Sequence, residues 1–347
     1  TEQYLLAHAL TYHSRHRRIA SMPRRIPGRY ACSQTILIAV FGIVDGMSYA
    51  VTTENLTKRY GKRTVVENLD LRIPQGTVYG FLGPNGAGKS TTMKMLLSLI
   101  QPTSGEVRIL GQPMTRSTRR QLLGSIGSLV ESPPGYTHLT GAENMRLVQR
   151  LLGLSSQQID NAVQSVRLQD QMGKKVREYS LGMKQRLGIA MALARQPKLL
   201  ILDEPTNGLD PAGIEEMRGL LRRLANNGVT VMVSSPLLGE IDKTATVLGI
   251  VSQGRMIFQG SRAELMAASM PDVLINCTNP QLAVQRLASF HATLTTEGEV
   301  AVPSLDDTQT AGIVAALCGE GLGVFGVHRD EQSLEDVFMR LTAGGRL

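Results

Sequence analysis

The nine residues Gly83-Pro84-Asn85-Gly86-Ala87-Gly88-Lys89-Ser90-Thr91 constrain what this chain can fold into more than any other stretch. A glycine-rich loop that ends in lysine and hydroxyl residues, set between a short apolar strand and a helix, is a phosphate-binding loop and calls for a parallel α/β sheet to hold it. Val78 to Leu82 supply the strand, and Met93, Met95, Leu96 and Leu99 predict a helix from about Gly88 to Leu99. Gly83, Gly86 and Gly88 let the backbone bend and turn its N–H groups toward phosphate oxygens, while the new helix points its positive end at the same place. Lys89 is placed to neutralise β- and γ-phosphates, and the Ser90 hydroxyl can ligate Mg²⁺. The expectation is a nucleoside triphosphate site.

A second motif supplies acid chemistry. The apolar run Leu199 to Leu202 ends in Asp203-Glu204-Pro205. Asp203, at the carboxyl end of a buried strand, can hold Mg²⁺ through water, and Glu204 can polarise an attacking water. Adjacent carboxylates at a strand end are also common as a solvated turn, and the upstream phosphate loop favours the functional reading. Between the two motifs, Ser180 is an N-cap for a helix from Leu181 to Ala194, so its hydroxyl and the first helical N–H groups make a second anion site.

The rest of the chain reads as an α/β body with an appended domain. Short strands with turns at Tyr60-Gly61-Lys62 and Pro74-Gln75-Gly76 dominate from Val51 to about Gly111, and residues from about Arg119 to Tyr179 read as mainly helical. There, Thr140 and Glu143 form a capping box for a helix with Met145, Val148, Leu151 and Leu152 along one side, so Glu143 is a cap before it is a catalytic candidate. Val229 to Val233 is another buried strand, and Val247 to Val251 and Arg255 to Gln259 form a hairpin across Ser252-Gln253-Gly254. After about Met270 the order is strand, helix, two strands, helix, strand, which predicts a small ferredoxin-like α+β domain. A final helix from Ser333 carries Leu334, Val337, Phe338 and Leu341 at a spacing that suits intramolecular packing. The divisions are an N-terminal extension over 1–46, an ATP-binding domain over 47–268 and an accessory domain over 269–347.

Charge limits the partners. The net charge of +8 invites a nucleic-acid reading. Yet residues 1–46 hold Arg15, Arg17, Arg18, Arg24, Arg25 and Arg29 against Glu2 and Asp45, and the body has no basic run. With only 4% aromatic residues there is no stacking platform for bases, so no nucleic-acid partner is expected. The same front segment, with its apolar stretch Ile36 to Val44, reads as an upstream extension or a misassigned start, or alternatively as a targeting segment. Cys32, Cys277 and Cys318 lack C-x-x-C spacing, and His13 and His16 lack neighbouring ligands for a metal. No stretch reaches the roughly 20 apolar residues of a membrane span, so a membrane role requires a partner.

Taken in order, the phosphate loop, Tyr179-Ser180-Leu181-Gly182-Met183-Lys184-Gln185-Arg186, Asp203-Glu204 and Gly208-Leu209-Asp210-Pro211 resemble the ATP-binding subunit of an ABC transporter over residues 50 to about 262. The Leu-Gly-Met-Lys-Gln-Arg form of the signature, with Leu334-Glu-Asp-Val-Phe338 in the tail, resembles the drug-export and bacitracin- or lantibiotic-resistance branch. The resemblance implies a P-loop ATPase with a β-subdomain, a parallel-sheet core and a helical subdomain. It also implies two ATP-binding domains, as a homodimer or heterodimer, paired head to tail. Each ATP·Mg²⁺ would lie between one chain's phosphate loop, Gly83 to Thr91, and the partner's Ser180, Gly182 and Asp210. Tyr60 matches the position where an aromatic ring stacks on adenine, or else it is a core tyrosine beside a turn. Glu131 stands where many members carry a glutamine that reaches Mg²⁺ or water, and the helical segment after it is where a separate membrane-spanning permease docks. The implied role is a cytoplasmic subunit, peripheral on the inner face of the cell membrane, that powers export of a drug, antibiotic or peptide.

One departure bears on the hydrolytic step. The family's histidine after the strand Val231-Met-Val-Ser234-Ser235 is replaced by Pro236, which has neither a side-chain donor nor a backbone N–H. Loss of one aimed donor at a developing charge costs on the order of 10²–10³ in rate. The alternative expectation is therefore a hydrolysis-impaired, ATP-gated regulatory subunit.

Overall fold

The computed structural model describes residues 48–131, 133–241, 243–268, 271–303, 305–330 and 334–342. The expectations for residues 1–46 and for a cap at Ser333 lie outside the described residues.

Five apolar runs pair side by side in parallel. Val247–Ser252, Val78–Leu82, Thr230–Ser235, Leu199–Leu202 and Ile126–Leu129 are neighbours in that order, and Arg255–Gly260 joins the outer edge antiparallel. The three central strands are buried along their whole length, which is why they read as unbroken apolar runs. The hairpin turn places Gln253 and Gly254 both at positive φ, 50° and 82°. Within the stretch from about Arg119 to Tyr179, expected to be mainly helical, Ile126–Leu129 is an unexpected strand. Four residues with glycine and serine inside give a weak strand signal. The sheet decides instead: a Cβ at Gly127 would lie 2.5 Å from the Ala192 carbonyl oxygen.

The phosphate-loop helix spans Lys89–Leu96, shorter than expected, because Ser98 turns left-handed at φ 53° and Leu99 is exposed. In front of it lies an antiparallel sheet of Arg63–Leu69, Tyr49–Tyr60, Ser104–Ile109 and Gln112–Pro113, with Arg72–Pro74 also on the second strand. On the other side are the helices Gly141–Leu152, Ser156–Ser165 and Leu181–Leu193. The Thr140 capping box is present in full: Glu143 N–H donates to Thr140 Oγ1 at 3.1 Å and Thr140 N–H to Glu143 Oε2 at 2.7 Å. Of its expected apolar side, Met145 and Val148 pack inward, but Leu151 is 84% exposed.

The C-terminal strands Val273–Cys277, Thr293–Leu294, Val300–Val302 and Val324–Arg329 pair antiparallel in the order second, third, first, fourth. With helices Pro280–Arg286 and Asp307–Gly319 this is the ferredoxin-like βαββαβ arrangement around its own buried cluster. The last described helix, Leu334–Thr342, leaves that cluster. Leu334, Val337, Phe338 and Leu341 pack instead with the parallel-sheet core, among residues such as Leu238, Ile241 and Leu248.

Candidate functional site

The phosphate loop leaves its strand at Gly83, whose φ of 159° and lack of a Cβ let it pass the Val251 carbonyl oxygen. Gly86 and Gly88 sit at φ 82° and 101°, which only glycine adopts cheaply. The helix starts at Lys89 with no side-chain cap, and the N–H groups of Lys89, Ser90 and Thr91 donate to no protein acceptor among the described residues. An uncapped helix start with three unspent donors fits a phosphate. The Lys89 ammonium is buried and donates to Gly83 O at 2.6 Å and Pro84 O at 3.4 Å, with Glu204 Oε1 3.8 Å away. Burial pushes its pKa below the ordinary lysine range, while Glu204 and then Asp203 pull it back up.

Asp203 and Glu204 end the strand Leu199–Leu202 as the sequence implied. The Asp203 N–H donates to Leu129 O at 2.8 Å, which ties it to the unforeseen strand. Glu204 is left-handed at φ 48°, a cost of roughly 1–2 kcal/mol for a non-glycine residue. Ser234, fully buried, supports this conformation: its hydroxyl donates to Asp203 Oδ1 at 2.5 Å and accepts the Glu204 N–H at 3.0 Å. Asn207 Nδ2 reaches Glu204 Oε2 at 3.3 Å. Asp203 Oδ2 and the Ser90 hydroxyl have no hydrogen-bond partner among the described residues, so the site offers the hard oxygen donors that Mg²⁺ takes.

Glu131 is left-handed at φ 74°, mostly exposed, and paired with Lys94 on the phosphate-loop helix. The Lys94 hydrogen bond holds the Glu131 carboxyl below the usual carboxylate range. Tyr60, at the end of its strand, is 52% exposed, with the Lys58 ammonium 5.0 Å from the ring centroid. A half-exposed ring answers the core-tyrosine alternative: it is not core.

The remaining candidates form a second group. Ser180 Oγ accepts the Met183 N–H at 3.2 Å, capping the helix Leu181–Leu193 as expected. Asp210 Oδ1 accepts the Gly213 N–H at 3.0 Å and caps Pro211–Asn226, with proline in the first turn. The two starts touch: a Cβ on Gly182 would be 3.6 Å from Leu209, and one on Gly208 2.9 Å from Leu181. Among the described residues, no hydrogen bond or ion pair links Ser180, Gly182 or Asp210 to the phosphate loop. Pro236 lies at the tip of a turn in which the Ser235 hydroxyl donates to Leu237 O at 2.9 Å and accepts the Leu237 N–H at 3.0 Å.

Comparison with known proteins matches residues 66–207 to a family model described as ABC transporter. The bacitracin transport ATP-binding protein BcrA of Enterococcus faecalis is 40% identical over 303 residues, 86% of this chain and 98% of BcrA. The structure of cbiO1 from Clostridium perfringens, part of the ABC transporter complex cbiONQ, aligns with a TM-score of 0.60 and 27% identity over 63% of this chain and 91% of its own. The dimeric post-hydrolysis state of the ATP-binding cassette MJ0796, bound to ADP and Pi, aligns with a TM-score of 0.54 and 25% identity, over 61% of this chain and 98% of its own.

Proposed function

The chain belongs to the ABC transporter family as an ATP-binding subunit and ATPase, and on that premise we propose how its residues divide the work of a motor that drives export through a separate membrane permease. The observation that carries the reading is the convergence of Lys89 and Glu204, 3.8 Å apart, beside three unspent N–H groups at the start of Lys89–Leu96.

Gly83 to Thr91 wrap the phosphates with backbone N–H groups, and Lys89 supplies the cation. Ser90 and, through water, Asp203 would hold Mg²⁺, which when bound neutralises the charge on the β- and γ-phosphates. Glu204 orients the attacking water and accepts its proton. Tyr60 offers its exposed ring to adenine, a stack worth about 1–3 kcal/mol for bases on aromatics. Ser180, Gly182 and Asp210 serve the nucleotide of a second ATP-binding chain, identical or homologous, in a head-to-tail pair. The dimeric form of MJ0796 supports a pairing of two ATP-binding chains. Residues 47–268 are assigned to the ATP-binding domain and 269–347 to the accessory domain, with the helix Leu334–Thr342 returning to the core of the first.

The exported compound is proposed to be a peptide antibiotic or a drug, by likeness to BcrA. No helix among the described residues is long and apolar enough to cross a membrane. The permease is proposed to be a separate chain that holds this one on the inner face of the membrane. The end-to-end match with a transport ATP-binding protein favours a working motor over the regulatory alternative drawn from Pro236. The test is steady-state Mg²⁺-ATPase of the full chain beside Glu204→Gln, with ATP binding verified for both. Turnover at least about 10²-fold above the variant is expected. Equal rates at equal ATP occupancy would overturn the motor reading.

A further inference from the structure

Ser234 was not singled out in the sequence, where it is one more residue at the end of an apolar strand. In the structure its hydroxyl bonds to both members of the acidic pair. It donates to Asp203 Oδ1 at 2.5 Å and accepts the N–H of Glu204 at 3.0 Å, and the residue has no exposed surface. The same strand runs on into Ser235 and Pro236, the segment in which the family's histidine donor is missing.

We propose that Ser234 is a positioning residue for ATP hydrolysis, one hydroxyl setting both the rotamer of Asp203 and the left-handed backbone of Glu204. The inference rests on the motor reading above. The bond to Oδ1 leaves Oδ2 as the Asp203 oxygen without a protein partner, the one available to a hydrated metal ion. The bond from the Glu204 N–H fixes a peptide that would otherwise relax out of φ 48°, carrying the carboxylate away from Lys89 and Asn207. Partners that orient a ligating carboxylate are commonly worth 10–100-fold in metal affinity or activity. A misplacement of about 1 Å in a catalytic group costs about 10²-fold in rate. The Ser234 hydroxyl makes no hydrogen bond to Gly83–Thr91, so its removal leaves the loop's own backbone N–H groups in place.

The experiment compares the full chain with Ser234→Ala and Ser234→Thr in four readouts: kcat, Mn²⁺ affinity in the presence of ADP, affinity for a fluorescent ATP analogue in EDTA, and melting temperature. Ser234→Ala is expected to lose about 10²-fold in kcat and about tenfold in Mn²⁺ affinity, with metal-free nucleotide affinity within about twofold of the parent. Ser234→Thr, which restores the hydroxyl, is expected to recover kcat and Mn²⁺ affinity to within about fivefold. The proposal is overturned if Ser234→Ala keeps its kcat, if its metal-free nucleotide affinity falls in step with kcat, or if a Ser234→Thr chain that melts like the parent shows no recovery. A parent chain that neither binds nor hydrolyses ATP sinks the motor reading and this inference together. An active parent beside an equally active Ser234→Ala chain sinks this inference alone.

Discussion

The two groups of candidate residues are built in opposite ways. Around Lys89, Asp203 and Glu204 the charges are crowded, largely buried and tied to one another, to the phosphate loop and to three neighbouring strands of the parallel sheet. Around Ser180, Gly182 and Asp210 two helix starts are capped, with Leu181 and Leu209 between them and an Arg186–Glu216 ion pair further along the same two helices. Ser180 and Asp210 are both exposed. The first group brings its proposed phosphate-binding and water-activating residues together within one chain. The second is a pair of capped helix ends with no hydrogen bond or ion pair to the phosphate loop among the described residues. Sites assembled across a two-fold axis have this asymmetry, since each chain contributes different residues to each of two equivalent sites.

The sharpest way to break the comparison is a mixing experiment. Lys89→Ala should abolish ATP binding at any protein concentration, and Ser180→Arg should leave ATP binding intact while removing turnover. Mixed one to one, the two inactive chains are expected to regain activity at least about 10-fold above either alone, because one composite site in the mixed pair carries both intact groups. No recovery would mean that the signature residues serve their own chain.

A smaller effect separates the strand ends. Pro236→His restores a donor, and the ATPase rate is expected to rise by up to about 10²-fold, with ATP affinity unchanged. A flat rate would show that the Ser235–Leu237 turn aims position 236 away from the phosphate. The smallest effect is a pH dependence confined to the first group. The charged form of Lys89 is the one that binds phosphate, and burial lowers its pKa, so ATP affinity should be full near neutrality and decline with rising pH sooner than an ordinary lysine would allow. Bound phosphate favours the charged form, so binding at alkaline pH, below the ordinary lysine range, should take up a fraction of a proton. Calorimetry in buffers of different ionisation enthalpy would register it, and an uptake of zero would place the ammonium outside the phosphate site.

What could be read in advance was what lies close along the chain. The phosphate loop packs its turn, cation and hydroxyl into nine consecutive residues. Thr140, Ser180 and Asp210 each cap a helix within three residues of themselves. Contacts between residues far apart along the chain were not legible. Ser234 meets Asp203 across 31 residues, and Lys94 meets Glu131 across 37. A serine in a strand, or a lysine on a helix, carries no local mark of such a partner. The strand Ile126–Leu129 was missed for a related reason, since its pairing with Leu199–Leu202 outweighs a weak local preference. Leu151 failed in the other direction: helical spacing put it on the side of Met145 and Val148, but only those two find the core.

The position of the helix Leu334–Thr342 sets a schedule for making the protein. The core of the ATP-binding domain contains Leu334, Val337, Phe338 and Leu341, so it stays open on that side until those residues have been synthesised and have cleared the ribosome. The intervening βαββαβ unit, with its separate buried cluster, can fold earlier on the nascent chain. Translation therefore leaves an apolar surface near Leu238, Ile241 and Leu248 uncovered for as long as the accessory domain takes to emerge. That interval is when chaperones have their opportunity to bind.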